Sequence, residues 1–222
     1  MSPNQLATQR PQHIEEAITG VERYNPENLP QLEEYLGLQC RSGQYDLISN
    51  LAILELYQFN PSLINLAVIT TILGKSLTAL PDADFDMFLS LLNPTIPLVK
   101  NLLDLQRLLE ECRYKEFWAL LASKECKEVL GDIKNFDKDI RKVISSSLET
   151  TFDTLEKNIV KEYLNFDDDE LTAFTEEKGW KFSDNDLLFN PSAPHVESKP
   201  QTVQQHQIKL EQLSKIIAQS NY

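Results

Sequence analysis

Residues 45–80 read YDLISNLAILELYQFNPSLINLAVITTILGKSLTAL. Leu47, Leu51 and Leu54 recur at helical spacing, with Ile48, Ala52 and Leu56 alongside. An apolar stripe that wide predicts a helix over about 45–59 that is buried on more than one side. Asn60-Pro61 then interrupts the pattern. Proline is tolerated in a helix's first turn and disruptive inside it, so it marks the next start. The second helix, over 62–80, is apolar nearly all round. Its Thr70 and Thr71 fit if their hydroxyls bond back to the preceding turn.

The same punctuation extends outward. Pro26, Pro81, Pro94 and Pro97 each precede a fresh apolar period. A helix is predicted over 28–40, with Leu29, Leu32, Tyr35 and Leu36 inward. Asp82 is expected to cap a short helix carrying Phe85, Phe88, Leu89 and Leu92. Further helices are expected over 98–111, 115–122, 125–133 and 136–147. Short connections favour antiparallel neighbours, and stacked helix pairs give a solenoid of the HEAT or TPR kind. The period is irregular, so a globular bundle is the competing architecture. Residues 1–12 read as a polar, disordered leader without the apolar stretch of a signal peptide. The helical domain is assigned to 13–145.

The pattern changes near residue 146. A helix is predicted over 151–164, with Phe152, Leu155, Ile159 and Tyr163 on one face. Asp167 or Asp168 caps a second helix that buries Leu171 and Phe174 and stops at Gly179. Two short apolar runs, 180–182 and 187–189, flank a polar turn and predict a hairpin. Helix, helix, hairpin is the order of a small winged-helix module, placed at 146–191. A linker at 192–202 leads to an amphipathic C-terminal helix at 203–222. Val203, Leu210, Leu213 and Ile217 form its seam, with His206 on the same line. These four are the candidate partner interface.

Charge narrows the function. The 222 residues hold 34 acidic and 21 basic side chains, a formal net charge of −13. Such a chain repels phosphate backbones and anionic lipid surfaces. The acid concentrates where it matters: 146–200 carries 13 acidic and five basic side chains. The would-be recognition helix, from about Asp169 to Lys178, is itself acidic, which argues against base readout.

Catalytic chemistry is equally poorly supplied. His13, His195 and His206 all fall in expected tails, which excludes a histidine triad or histidine metal cluster in the core. Gly74-Lys75-Ser76 lacks the glycine that a phosphate loop needs at position 69, which is Ile69, so Lys75 is expected to be a solvated helix residue. The acidic run 167–170 lacks calcium-loop spacing and reads as a helix start. Cys40, Cys112 and Cys126 read as buried reduced thiols. The most apolar run, 63–73, is too short for a membrane span of about 20 residues. Tyr57, Phe59, Phe117 and Trp118 stand at helix ends, where aromatics pack between helices; a peptide-binding groove is the alternative. No enzyme activity, cofactor or metal is expected.

Several segments together resemble a known family. They are 23–29 (RYNPENL) with Leu32 and Tyr35; 45–47 (YDL) and 50–61 (NLAILELYQFNP); Ile72-Leu73, Lys75, Leu77-Thr78, Leu80-Pro81 and Asp84-Phe85; and Leu105, 108–110 (LLE), Cys112 and Phe117-Trp118. Gly179-Trp180 adds a weaker C-terminal match. The whole resembles the subunit k family of eukaryotic translation initiation factor three, itself similar to proteasome-lid and signalosome scaffold subunits. Its motif residues here are Tyr24, Asn25, Pro26, Tyr57, Phe59, Asn60, Pro61, Phe117, Trp118 and Trp180. The resemblance implies a HEAT-like domain followed by a winged helix, and a non-catalytic cytoplasmic scaffold of an assembly on the small ribosomal subunit. It also implies subunit l as neighbour, with indirect ribosome contact and no direct sequence-specific nucleic acid or membrane binding. The alternatives are a proteasome-lid or signalosome-like scaffold, or an RNA-binding winged helix.

Overall fold

A computed structural model describes residues 10–92, 97–182 and 187–189. The chain is mainly helical. Eleven helices occur among the described residues: α1 (Gln12–Ile18), α2 (Leu29–Ser42), α3 (Leu47–Phe59), α4 (Leu66–Leu77), α5 (Asp84–Ser90), α6 (Pro97–Glu110), α7 (Tyr114–Leu121), α8 (Lys124–Leu130), α9 (Phe136–Thr151), α10 (Lys157–Leu164) and α11 (Asp168–Lys178). Three short strands, β1 (Thr154–Glu156), β2 (Lys181–Phe182) and β3 (Leu187–Phe189), form one antiparallel sheet in the order β1-β3-β2. Thr154 pairs with Phe189 on one side of β3, and Lys181 with Phe189 on the other.

Side-chain caps set the starts of α3, α4, α8 and α11, and several starts differ from the sequence expectation. α3 starts at Leu47 rather than Tyr45, because the Asp46 carboxylate accepts the Ser49 N–H at 3.2 Å. α4 starts at Leu66, with Asn65 Oδ1 accepting from Ala67 N at 3.1 Å. Residues 61–63 form a separate 3-10 turn. Thr70 and Thr71 donate back to the Ala67 carbonyl at 3.0 and 2.8 Å, which satisfies the hydroxyl of the buried Thr70. Asp82 does not cap α5. It lies in the preceding turn, and Ala83 holds the cap position without a side-chain bond.

The helix expected over 151–164 is broken. α9 runs on to Thr151, Phe152 turns extended (φ −125°, ψ 139°), and β1 intervenes before α10. The partner of β1 is β3, more than 30 residues downstream, and such a pairing leaves no trace in local periodicity. Phe152, expected on the inner face, is 41% exposed, whereas Val160 and Leu164 are buried. At the far end of this module Asp167 holds the cap of α11. Its N–H donates to Glu170 Oε2 at 3.2 Å, the return half of a capping box. Gly179 closes the helix in the left-handed region (φ 71°).

Two buried features join the helical layers. Gly74 sits where α4 meets α8: a Cβ there would lie 2.5 Å from Leu130 Cδ2 and 2.9 Å from Ile133 Cδ1. Its neighbour Lys75 is 1% exposed, not solvated. Burial lowers its pKa from the ordinary value, opposed by the fields of Cys40 and Asp139. Cys40 and Cys126 are buried, but Cys112 is exposed at positive φ (58°) between α6 and α7.

The segment expected as leader is partly structured. α1 starts at Gln12, and Arg10 bonds Asp46 with two nitrogens at 2.6 and 2.8 Å. Asp46 N in turn donates to Gln39 Oε1, and Gln39 pairs with Asn50, so one buried polar network staples the chain's start to α2 and α3. The apolar core is continuous from Ile14 to Trp180.

Candidate interaction surface

Nine of the ten motif residues gather in two places, and Trp180 stands apart from both. The first gathers seven of them at the end of α3. Arg23 grips Glu55 with two bonds, 2.6 and 2.9 Å, and thereby holds the 3-10 turn Gly20–Tyr24 on that helix. Asn25 Oδ1 accepts from Glu27 N at 3.1 Å and starts the next turn, in which Pro26 takes the first position. Asn60 Nδ2 donates to the Leu56 carbonyl at 3.0 Å, satisfying the end of α3, and Pro61 opens the turn beyond. Tyr57 is buried and donates to Glu33 Oε1 at 2.5 Å. Burial and that carboxylate together push the Tyr57 hydroxyl pKa well up.

Phe59 does not pack between helices as expected. It is 65% exposed and meets Tyr24 edge-on, with ring centroids 5.8 Å apart. The side chains brought together here are therefore structural on one side and exposed on the other.

The second place is the junction between α7, α9 and α10. Phe117 and Trp118 are buried on α7. Trp118 Nε1 donates to the Tyr163 carbonyl at 2.8 Å. Arg141, from α9, donates to the Leu164 and Asn165 carbonyls at 3.0 and 3.1 Å, taking up the orphan acceptors at the end of α10. Its guanidinium stands 4.4 Å from the Phe166 ring centroid and 5.3 Å from that of Trp118. Sequence reasoning missed Arg141; a lone arginine on an amphipathic helix carries no signal of this role. Trp180 lies apart from Trp118, donating to Glu149 Oε1 at 3.0 Å and packing edge-on against Phe174. These contacts tie α7, α9 and α10 together beside a recess of about 460 Å³ that Trp118, Phe136 and Asn165 help to line.

α11 presents acid to solvent. Asp168, Asp169, Glu170, Glu176 and Glu177 are all exposed. Asp168 pairs with Lys161 at 2.8 Å and Lys157 at 3.5 Å, which lowers its pKa. Among the described residues no group of three or more His, Cys, Asp and Glu is placed to hold a metal. None of the described helices is long and apolar enough to cross a membrane. Val203, Leu210, Leu213 and Ile217, with His195 and His206, lie outside the described residues.

Comparison with known proteins places this architecture. The model of the CSN8/PSMD8/EIF3K family matches residues 63–202, which include the junction and α11. Eukaryotic translation initiation factor 3 subunit K of Mycosarcoma maydis is 34% identical over 95% of this chain and 92% of its own length. The chain belongs to the CSN8/PSMD8/EIF3K family. The subunit K of Sclerotinia sclerotiorum is 34% identical over 97% of this chain and 96% of its own. That of Drosophila grimshawi is 39% identical over 80% and 81%. The Tyr24–Phe59 cluster lies ahead of the span that the family model matches.

Proposed function

We propose that this chain is subunit k of eukaryotic translation initiation factor three: a non-catalytic, cytoplasmic scaffold that supports initiation on the small ribosomal subunit through protein contacts. The observation that carries the reading is identity of 34–39% to relatives named subunit K, over most of both chains. In this reading residues 13–145 are a HEAT-like domain and 146–191 a winged helix. The element order α9-β1-α10-α11-β2-β3 and the sheet order β1-β3-β2 support the second assignment. The linker 192–202 then delivers a helix at 203–222, whose Val203, Leu210, Leu213 and Ile217 join a helical bundle with other subunits, subunit l foremost. The acidic face of α11 supports contact with the ribosome through neighbours rather than through RNA.

Affinity purification of the tagged chain from cells, read by mass spectrometry, tests this. The expected result is recovery of initiation factor three subunits and small-subunit ribosomal proteins. Truncation after Pro200 is expected to reduce recovery of subunit l. Recovery of proteasome-lid or cullin-linked signalosome subunits instead would overturn the assignment, and full retention of subunit l would remove the role given to the tail.

A further inference from the structure

The end of α3 carries an apolar surface that the fold does not use. Residues 56–74 contain no charged side chain. Within that run every residue from 61 to 67 is exposed, including Leu63, Ile64 and Leu66. Phe59 and Tyr24 extend the surface as an edge-on pair, and Val21, 86% exposed, borders it. Beside it a recess of about 380 Å³ opens between Tyr57, Pro61, Ile64 and Leu91. A contiguous exposed apolar patch with a polar rim marks an interaction site.

The rim selects the occupant. Glu22, on the turn that carries Tyr24, and Glu27, on the next turn, are exposed; the Glu22 carboxylate accepts from the uncharged amides of Asn25 and Asn28, and Glu33 accepts from Tyr57. The nearby cation, Arg23, is already taken by Glu55. An anionic membrane is repelled by this rim. A second copy of the chain brings no complementary charge, because its patch carries the same acidic rim. We infer that this surface docks an amphipathic helical segment of another protein, with aliphatic or aromatic anchors on one face and Lys or Arg flanking them. Phe59 and Ile64 supply the anchoring contacts, and Glu22 and Glu27 supply charge selection. The inference concerns a partner of α3 and α4, and holds whether or not the C-terminal segment joins a bundle.

The test uses the full chain and a labelled 18-residue helical peptide with Leu and Phe on one face and Lys on the other, read by fluorescence anisotropy. A twin peptide has each Lys replaced by Glu. The basic peptide is expected to bind at least about tenfold more tightly than its twin. The double variant Phe59→Ser/Ile64→Ser is expected to weaken binding at least about tenfold, and Glu22→Gln/Glu27→Lys likewise, the glutamine keeping an oxygen for the Asn25 and Asn28 amides. Asp169→Asn/Glu176→Lys makes the same charge change on α11 and is expected to leave binding within about threefold, since these acids lie outside the patch. Because Phe59 and Ile64 are exposed, circular dichroism is expected to show their variants folded. Equal binding of both peptides, equal loss in the α11 variant, or no binding below about 1 mM would overturn the inference. So would about tenfold tighter binding after removal of residues 1–9 or 201–222, which would make a terminus of the chain the occupant. Co-sedimentation of the chain itself with phosphatidylserine vesicles in the absence of peptide, lost in Phe59→Ser/Ile64→Ser, or a dimer dissolved by Phe59→Ser, would overturn it in favour of a membrane or a second copy.

Discussion

Replacing Lys75 with methionine is expected to stabilise this protein. Lys75 is 1% exposed, and no carboxylate of the described residues lies in ion-pair distance of it. Methionine keeps the unbranched shape and removes the buried cation. Exchange of buried charge for an apolar side chain of similar volume is worth about 1–4 kcal/mol. Cys40 and Asp139 partly favour the charge here, so we expect about 2 kcal/mol at pH 7. At this chain length that corresponds to a rise in Tm of about 4–8 °C.

The gain has a diagnostic pH dependence. Burial lowers the Lys75 pKa below its ordinary 10.5, so between the two values the unfolded chain binds a proton that the folded chain does not. Wild-type stability therefore climbs, by up to about 1.4 kcal/mol per pH unit, as pH rises from the folded pKa to 10.5. The advantage of Lys75→Met shrinks over that window and is largest below it. Urea unfolding followed by fluorescence of the buried Trp118 and Trp180 measures both. A loss of more than about 1 kcal/mol in Lys75→Met, or a gain that does not change with pH, would refute the reasoning.

Three further outcomes follow from the packing. Gly74→Val is expected to cost about 1–3 kcal/mol by driving a branched side chain into Leu130 and Ile133; Gly74→Ala is expected to cost less, because alanine regains about 1 kcal/mol of helix propensity. Chemical denaturation of the pair tests the ordering. Asp46→Ala leaves Arg10 with Glu15 alone and strips the cap from α3, for about 3 kcal/mol, and hydrogen exchange is expected to show α1 losing protection. Trp118→Phe leaves the Tyr163 carbonyl without its donor, for about 1–2 kcal/mol in thermal unfolding.

Local signals made most of the helices legible. Leu29, Leu32, Tyr35 and Leu36 point inward as their spacing requires, and Asp167 and Gly179 bound α11 as their chemistry requires. The misses have definite causes. β1 exists because β3 pairs with it, and a three-residue strand has no period of its own. Lys75 was read as solvated from its residue type alone. Yet it is the sole charge between Glu55 and Asp82, on a helix apolar nearly all round, and that isolation was the signal for burial. The exposed surface around Phe59 was hidden for the opposite reason: apolar pattern alone does not separate a face that meets the core from one that meets a partner. The family resemblance drew on Tyr24, Phe59 and Pro61 without distinguishing their roles. The structure divides them: Pro61 opens the turn after α3, while Tyr24 and Phe59 face solvent.

The central claim is that this chain works by holding protein neighbours in an initiation complex. Crosslinking mass spectrometry on the assembly purified through the tagged chain tests it most directly. Crosslinks are expected from this chain's lysines to other subunits of initiation factor three, subunit l among them, and none from α11 to ribosomal RNA. Crosslinks to proteasome-lid or signalosome subunits, or RNA adducts on α11, would contradict it.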